Sequence, residues 1–296
     1  MRIAYLNGRT WRKEPLPPGE LPGPEALDFA LLAAAGKATG LTFEVAYWDD
    51  PTLRAQGFDA LLIRSCWDYV DRPAEFLDTM QALEQGGAKV LNPSAVLRWN
   101  ARKTYLRDLA QAGVPSIETV WLDKVDPHAV ARGFDALDAA EIVLKPQIGS
   151  GSRDTIRLKR NAWSETDLIS GPPAAAMLQP FLTSLETEGE ISLFFCGRTY
   201  THAILKRPAP GDWRANLMDT IITPHEPTPA QKAAAETALA EAPKGLAYAR
   251  VDLVLSGGAW RIIELELIEP RLYFTYVPEA ATPFAGALAE WMRTHR

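Results

Sequence analysis

Two acidic residues near the end of the chain are spaced so that they can act together. Two apolar runs, 246–255 and 260–268, flank a Gly-Gly pair, and this pattern predicts a β-hairpin. Because side chains alternate along a strand, Glu264 and Glu266 project from one face of the second strand, while Ile263 and its alternate neighbours take the other. The spacing therefore places two carboxylates side by side.

The first strand of the hairpin adds a third carboxylate. With a three-residue loop at 257–259, Asp252 lies opposite Glu264, and Arg250 lies opposite Glu266. Carboxylates crowded in this way raise one another's pKa unless a cation neutralises them. All-oxygen ligands suit Mg²⁺ or Mn²⁺, so the pattern predicts a metal site. The alternative interpretation is an edge hairpin with solvated acids.

Composition excludes several classes of protein. The chain has 296 residues, 47% hydrophobic and 23% charged, and its net charge of -6 argues against a nucleic-acid partner. Cys66 and Cys196 lie far apart without metal-ligand spacing, so we expect reduced thiols. No run reaches the ~18 apolar residues of a membrane span, and the first residues lack a signal core. We expect a cytoplasmic enzyme with a small-molecule substrate.

The first hundred residues alternate between predicted strands and helices. Strands at 1–7, 42–48 and 58–66 are separated by a helix at 25–40, and a further helix follows at 73–85. This order predicts a parallel sheet covered by helices. Ligands collect beyond the carboxyl ends of such strands, so residues near those ends are candidates for substrate contact. The candidates chosen on this basis are Arg9, Arg64, Trp67, Asp68 and Tyr69.

The middle of the chain has a glycine-rich turn directly after a strand that ends in a lysine. The strand 141–145 ends at Lys145, and the turn contains Gly149, Ser150, Gly151 and Ser152. Glycine and serine expose N–H groups and allow close approach to a phosphate, and the lysine supplies a cation. The turn matches neither the P-loop nor the dinucleotide pattern, and an ordinary hairpin turn is the alternative.

The last part predicts a second hairpin and two helices around the acidic residues. Strands at 190–195 and 199–205 end at Lys206, and a loop at 209–219 carries Arg214 and Asn216. The predicted helices are 94–112, which carries Lys103 and is either one helix or two helices broken near Asn100, then 126–137, 229–241 and 278–293. We divide the chain into a parallel-sheet domain at 1–100, a small α+β lid domain at 101–182, and an α+β domain at 183–296.

The order of these pieces resembles the ATP-grasp superfamily from about residue 92 to 274. The pieces are a lysine on a helix, a lysine at the end of IVLKP, a glycine-rich lid turn, the linker MLQPFL, basic residues and the acidic hairpin. The segments RSCWDY, NPSAVLRWNARKTYL and ELELIEP are similar to the branch that contains glutathione-synthetase-like ligases and the cycloserine-forming O-ureidoserine cyclo-ligase. The resemblance implies the ATP-grasp fold.

The resemblance also implies roles for individual residues. Lys103 and Lys145 would hold the α- and β-phosphates of ATP, while Lys206 and Arg214 would be catalytic at the γ-phosphate. The remaining nucleotide contacts that it implies are Gly149, Ser150, Gly151, Ser152, Gln179, Pro180, Phe181 and Glu186. The implied metal ligands are Asp252, Glu264 and Glu266. The implied substrate contacts are Arg9, Arg64, Asp68, Asn216 and Arg271.

The implied activity is that of an ATP- and Mg²⁺-dependent ligase. It would convert a substrate carboxylate to an acyl phosphate, which an amine attacks, either from a second molecule or within one molecule, and a homodimer is a common form of such proteins. Two positions depart from the pattern: Glu266 stands where asparagine is common, and Pro180 stands where an acid is frequent. The alternatives are a kinase that phosphorylates a hydroxyl and a nucleotide-binding protein without turnover.

Overall fold

The first sheet is parallel and carries helices on its faces. The computed structural model describes residues 1–11, 14–17, 19–215 and 219–295. The elements of the first part are β1 (Arg2–Asn7), β2 (Thr10–Trp11), β3 (Glu14–Pro15), α1 (Gly23–Thr39), β4 (Thr42–Tyr47), β5 (Ala60–Ser65), α2 (Pro73–Gln85) and β6 (Val90–Leu91). The strand order is β4-β1-β5-β6, all parallel, as the alternating pattern predicted. Helix α1 ends at Gly40, whose φ of 77° is the left-handed value that glycine adopts easily.

The segment 94–112 forms two helices that are broken after Asn100, as one of the two predicted alternatives has it, and Lys103 lies between them. The two are α3 (Ser94–Asn100) and α4 (Tyr105–Gln111). The Asn100 side chain donates to Leu265 O at 2.8 Å and accepts from Leu267 N at 2.8 Å. Lys103 N donates to Gln147 O at 2.7 Å instead of to a helical carbonyl. These hydrogen bonds to distant residues replace the ones that a continuous helix would make.

The central sheet is small and antiparallel. Its elements are β7 (Val120–Leu122), α5 (Pro127–Ala136), β8 (Glu141–Pro146), β9 (Ile156–Lys159) and β10 (Ala176–Pro180), with strand order β7-β10-β8-β9. Helix α5 packs closely on β10 at Gly133, where an added Cβ would lie 2.1 Å from the Leu178 side chain. Glycine at this position therefore sets the distance between helix and sheet.

The last sheet has five antiparallel strands. Its elements are α6 (Ser184–Thr187), β11 (Glu190–Cys196), β12 (Thr199–Arg207), β13 (Ile221–Pro224), α7 (Pro229–Glu241), β14 (Tyr248–Ser256), β15 (Ala259–Glu266) and α8 (Ala281–Thr294). The strand order is β13-β12-β11-β14-β15. Side chains of α8, including Phe284, share one core with Ile3 and Leu32 of the first part. The chain therefore ends packed against its beginning.

The acidic hairpin differs from its prediction at the turn. The turn has two residues, because Ser256 pairs with Ala259, and the three-residue loop was wrong. A β-bulge between Asp252 and Leu253 then shifts the register by one, so that Asp252 still pairs with Glu264. The predicted pairing of Arg250 with Glu266 is also present.

The bulge has a second effect, on the residue beside the carboxylates. Ile263 was expected on the face opposite Glu264. It instead lines the same cavity as Glu264 and packs against the cluster formed by Ile117, Leu185 and Val254. The extra residue in β15 breaks the strict alternation on which the prediction depended.

Candidate functional site

A cavity of about 830 Å³ is lined by residues of the central sheet, of the last sheet and of loops and short helices of the first part of the chain. The acidic hairpin forms one wall, and the central sheet with its glycine-rich turn forms another. The 3₁₀ helix Trp67–Asp71 and the segment that follows β15 contribute the remaining wall. Ligand sites in proteins are concave surfaces of this size with a few converging polar groups, so this cavity is the candidate active site.

Two of the three predicted metal ligands, Glu264 and Glu266, line this cavity, and Asp252 is buried next to them. Asp252, Glu264 and Glu266 each place a carboxylate oxygen within 4.8 Å of the others. They form what we call the acid patch. Arg250 donates to Asp252 at 2.8 Å and also to Glu266, while Lys103 forms an ion pair with Glu264. Three carboxylates at this separation fit a hard divalent cation by ligand type and by distance.

Burial and nearby cations set the charges of the acid patch. Burial raises the pKa of Asp252, but Arg250 and Lys206 outweigh that effect and hold it at about 2. Burial is the main cause that raises the pKa of Glu266 to about 8, against the opposing effect of Arg250. The pKa of Glu264 is lowered, because Lys103 outweighs its burial. A bound cation would favour the ionised form of all three groups.

Lys145 is held at the cavity by a neutral partner. Its Nζ donates to Gln179 Oε1 at 3.0 Å, and Gln179 Nε2 donates to Thr119 Oγ1 at 3.0 Å. Burial lowers the pKa of Lys145, partly offset by Glu264. A partly buried amine with only an amide partner gains from an arriving anion. The side chain of Gln179 is therefore engaged in holding Lys145.

The glycine-rich turn lines the cavity through all four predicted residues, from Gly149 to Ser152. Gly151 and Ser152 have φ values of 60° and 58°, which expose their main-chain groups in a tight turn. The next residue, Arg153, donates to Asp71 Oδ1 at 2.6 Å. This ion pair connects the turn to the first part of the chain across the cavity mouth.

Lys206 is fully buried and is not among the residues that line the cavity. It forms an ion pair with Glu190, and its Nζ lies 3.8 Å from Asp252 Oδ2. Arg214 lines the cavity and pairs with Asp212 at 2.9 Å. The structure thus puts Lys206 behind the acid patch, where it supports Asp252. Asn216 lies outside the described residues.

Two predicted nucleotide contacts do not line the cavity. Pro180 and Gln179 do, but the ring of Phe181 lies 3.4 Å below the guanidinium carbon of Arg157. The Glu186 carboxylate is half exposed and lies 3.8 Å from Arg157 as well. β10 ends at Pro180, and beyond it Leu182 and Leu185 line the cavity instead of Phe181 and Glu186.

The predicted substrate contacts are divided in the same way. Asp68 and Arg271 line the cavity, and Asp68 is held by Trp48 at 2.9 Å and by Arg72 at 2.8 Å. Arg9 is exposed and pairs with Asp49 at 2.8 Å, away from the cavity lining. Arg64, the predicted contact on β5, is buried.

Arg64 belongs to a buried group that we call the polar cluster, which comprises Asn7, Glu25, Asp28, Arg64 and Ser65. Within it, Arg64 donates to the carbonyl oxygen of Pro270, and Glu25 accepts from the hydroxyl of Tyr5. Asp28 accepts from Thr275 N at 2.7 Å and from its hydroxyl at 2.5 Å, and it lies 3.7 Å from Arg271. The cluster therefore fixes the segment 270–275 that carries Arg271 to the cavity.

Sequence reasoning missed Arg250 and Glu269 as site residues. Arg250 is buried and binds two carboxylates of the acid patch, and the alternation that placed it beside Asp252 was the available signal. Glu269 lines the cavity three residues after Glu266. It follows the end of β15, where strand periodicity no longer predicts side-chain direction.

The fold and the site define an ATP-grasp ligase. A family model described as the D-cycloserine synthetase DcsG N-terminal domain matches residues 12–92. The cycloserine biosynthesis protein DcsG of Streptomyces lavendulae is 34% identical over 290 residues, which cover 90% of this chain and 94% of that protein. The chain belongs to this DcsG family, and it is an ATP-dependent ligase.

Solved structures agree with this placement. The crystal structure of D-cycloserine synthetase DcsG matches with a TM-score of 0.83 and 31% identity over 99% of this chain and 100% of that chain. A D-alanine–D-alanine ligase from Bacillus anthracis complexed with ATP matches with a TM-score of 0.69 and 16% identity over 99% and 96% of the two chains, which shows the shared fold. Within the described residues, no helix has both the length and the apolar character needed to cross a bilayer.

Proposed function

We propose that this protein closes the ring of a cycloserine-type product from an amino-acid derivative that carries both the carboxylate and the nitrogen to be joined. The similarity to DcsG over nearly the full length of both chains supports ring closure. One observation in the site carries the proposal: Lys103, Lys145 and the acid patch line or adjoin a single cavity. Cations and carboxylates arranged in this way can hold a triphosphate together with its metal ion.

The charged side chains divide the work of phosphoryl transfer. Lys145 binds a phosphate oxygen, since its present partner is a neutral amide. Lys103 does the same and balances Glu264. The acid patch would hold Mg²⁺, which lowers the charge repulsion between the phosphates and the incoming substrate carboxylate when it is bound. Arg214, at the cavity surface, faces the transferred group. Lys206 supports this arrangement from behind Asp252.

The chemical step then needs positioning more than a protein nucleophile. A substrate carboxylate oxygen takes the γ-phosphoryl group, which gives an acyl phosphate and ADP. The substrate nitrogen attacks the acyl carbon, the C–N bond forms as the C–O bond to phosphate breaks, and the nitrogen loses a proton. The turn 149–152 closes over the phosphates and excludes water from the acyl phosphate.

The experiment is a measurement of ADP release with Mg²⁺-ATP and pooled amino-acid derivatives, with and without hydroxylamine. An acyl phosphate gives a hydroxamate, and mass spectrometry identifies a product that has lost one water relative to its precursor. A stable phosphate ester on the acceptor would indicate the kinase alternative. Absence of any nucleotide turnover across the pool would contradict the proposal and favour the non-catalytic alternative.

Three further statements belong to this proposal. The three-domain division at 1–100, 101–182 and 183–296 predicts proteolytic cleavage near residues 100 and 182. A homodimer predicts a mass of about twice 32.6 kDa by light scattering. A cytoplasmic location is supported by Cys66 and Cys196, which are both buried and free.

A further inference from the structure

The charged residues that line the cavity are almost all paired within the protein. Six of them are acids, and five of these have a basic partner at ion-pair distance. The pairs are Asp68 with Arg72, Asp71 with Arg153, Glu190 with Lys206, Glu264 with Lys103, and Glu266 with Arg250. In the part of the chain that the structure describes, Glu269 is the acid of this set with no ion pair and no hydrogen bond to another residue; its carboxylate accepts from its own main-chain N–H.

Glu269 is nevertheless well buried. Its exposed fraction is 7%, and it borders the cavity beside Arg271 and Tyr273. It is separate from the acid patch, whose members group together without it. A largely buried carboxyl group without a cationic partner is costly, so a site that keeps one gains from a ligand that pairs with it.

The basic residues of the cavity show the same pattern with opposite sign. Lys103, Arg153, Arg214, Arg250 and Arg271 each have an acidic partner. Lys145 has the amide of Gln179 instead. Among the described lining residues, one cation and one anion are thus left for ligands. The proposed function assigns the anionic phosphate to Lys145, and a cation remains to be assigned to Glu269.

We infer that Glu269 binds the primary ammonium group of the amino-acid substrate. The inference rests on the proposed function and names the group by which the site recognises its substrate. A single carboxylate fits a primary ammonium, which is compact and donates three hydrogen bonds, better than it fits a metal ion. Burial, opposed by Arg250 and Arg64, raises the pKa of Glu269 to about 7, so an arriving cation readily ionises it.

The test measures binding of D-cycloserine and of N-acetyl-D-cycloserine to the full-length protein by calorimetry, in the presence of Mg²⁺-ADP. Acetylation removes the charged amine and keeps the ring. We expect the wild type to bind the acetylated compound ~10–100-fold more weakly, which is the usual contribution of a hydrogen bond to a charged group. Glu269→Gln should weaken D-cycloserine binding by a similar factor and leave binding of the acetylated compound unchanged.

Three matched measurements separate this role from a structural one. Glu269→Asp keeps the charge and should retain most of the preference for the free amine. Glu279→Gln, at an exposed position, should bind both compounds as the wild type does. ATP affinity should be equal in all variants, because Glu269 lies outside the phosphate-binding set.

The outcomes also separate the inference from the proposed function. If the wild type binds D-cycloserine and Glu269→Gln binds it equally well, the ammonium role is wrong and the proposed product stands. If the wild type does not bind D-cycloserine, the proposed product is wrong. In that case, the preference for a free amine is measured by comparing the rate of ADP release with pooled amino acids and the rate with their N-acetyl forms. Equal rates for the two pools in the wild type, or no release from either, would overturn the inference.

Discussion

The acid patch and the polar cluster both keep charges away from water, but they differ in how those charges are satisfied. In the acid patch every carboxylate has a cationic partner, from Arg250, Lys103 or Lys206. In the polar cluster several buried atoms have no hydrogen-bond partner among the described residues. These atoms are Asn7 Oδ1, Glu25 Oε2, Asp28 Oδ2, Arg64 Nε, Arg64 Nη1 and Ser65 Oγ.

The difference shows that burial of charge serves two purposes in this protein. Each carboxylate of the acid patch is already paired with a basic side chain, so it can exchange that cation for a metal ion at small cost in free energy. The hydrogen bonds that the polar cluster makes fix the segment 270–275. Substitutions near the acid patch should therefore change activity at nearly constant stability, and substitutions in the polar cluster should first change stability.

The largest expected effect is on turnover at the phosphate end. Lys145→Met keeps the length of the side chain and removes its charge. The rate of ADP release should fall by ~10²–10³, as for the loss of one contact to developing charge. The melting temperature should stay equal or rise, because the variant buries no amine. Lys159→Met, on the exposed part of β9, is the matched control. A rate within threefold of the wild type would exclude phosphate binding by Lys145.

The next effect is on stability at the polar cluster. Asp28→Ala leaves the main-chain N–H and hydroxyl of Thr275 without their buried acceptor and removes the ion-pair partner of Arg271, and the loss of two such hydrogen bonds costs about 3 kcal/mol. Urea unfolding followed by circular dichroism measures this change in the free energy of unfolding. Asp78→Ala, at a mostly exposed position, should cost less than about 1 kcal/mol. Equal effects of the two substitutions would remove the distinction between the polar cluster and the protein surface.

Local patterns predicted much of the fold. The helices at 73–85 and 229–241 were predicted with their observed bounds, because each begins with a proline at its first turn and has a clear end signal. The parallel order of the first sheet followed from alternating strands and helices. The pairing of Asp252 with Glu264 was also correct, although a short turn and a bulge produce it instead of a long turn.

Contacts between distant strands could not be predicted in this way. Lys206 was expected at the phosphates, but β11 lies between β12 and β14, so Glu190 and Asp252 enclose its amine. Periodicity along one strand does not say which strand will be its neighbour. A helix break near Asn100 was one of two predicted alternatives, but the bonds that leave Lys103 between the two helices come from residues far along the chain, which local patterns do not predict.

A neutral histidine holds the same segment as the polar cluster and adds a pH dependence. His202 is buried, stacks on Phe194 and hydrogen-bonds to Leu272 O at 2.8 Å. Burial lowers its pKa to about 4, although the bond to Leu272 opposes this. In the unfolded chain the pKa is about 6.5. The unfolded state therefore binds the extra proton between these values, and stability falls as the pH decreases through this range.

The size and test of this effect follow from the same two values. Stability is fully present above pH ~6.5, and up to ~3 kcal/mol is lost by pH ~4. Urea unfolding of the wild type and of His202→Gln across this range gives the measurement. Because glutamine does not titrate, the variant should be less stable near pH 7 but should lose less stability on acidification. Parallel pH profiles would show that other groups cause the dependence.

The smallest expected effect concerns the ion pair that connects the glycine-rich turn to the first part of the chain. Arg153 and Asp71 are 44% and 43% exposed, so their pair contributes ~0–1 kcal/mol to stability. Arg153→Ala should leave the melting temperature nearly unchanged and raise the KM for ATP by up to ~5-fold, because the turn is then less often closed. Exchange of the two charges, Arg153→Asp with Asp71→Arg, should restore part of this loss, whereas Arg98→Ala, which removes an exposed pair elsewhere, should leave the KM unchanged. An unchanged KM in Arg153→Ala would mean that the turn closes without this contact, and the link between turn and cavity mouth would then depend on main-chain contacts alone.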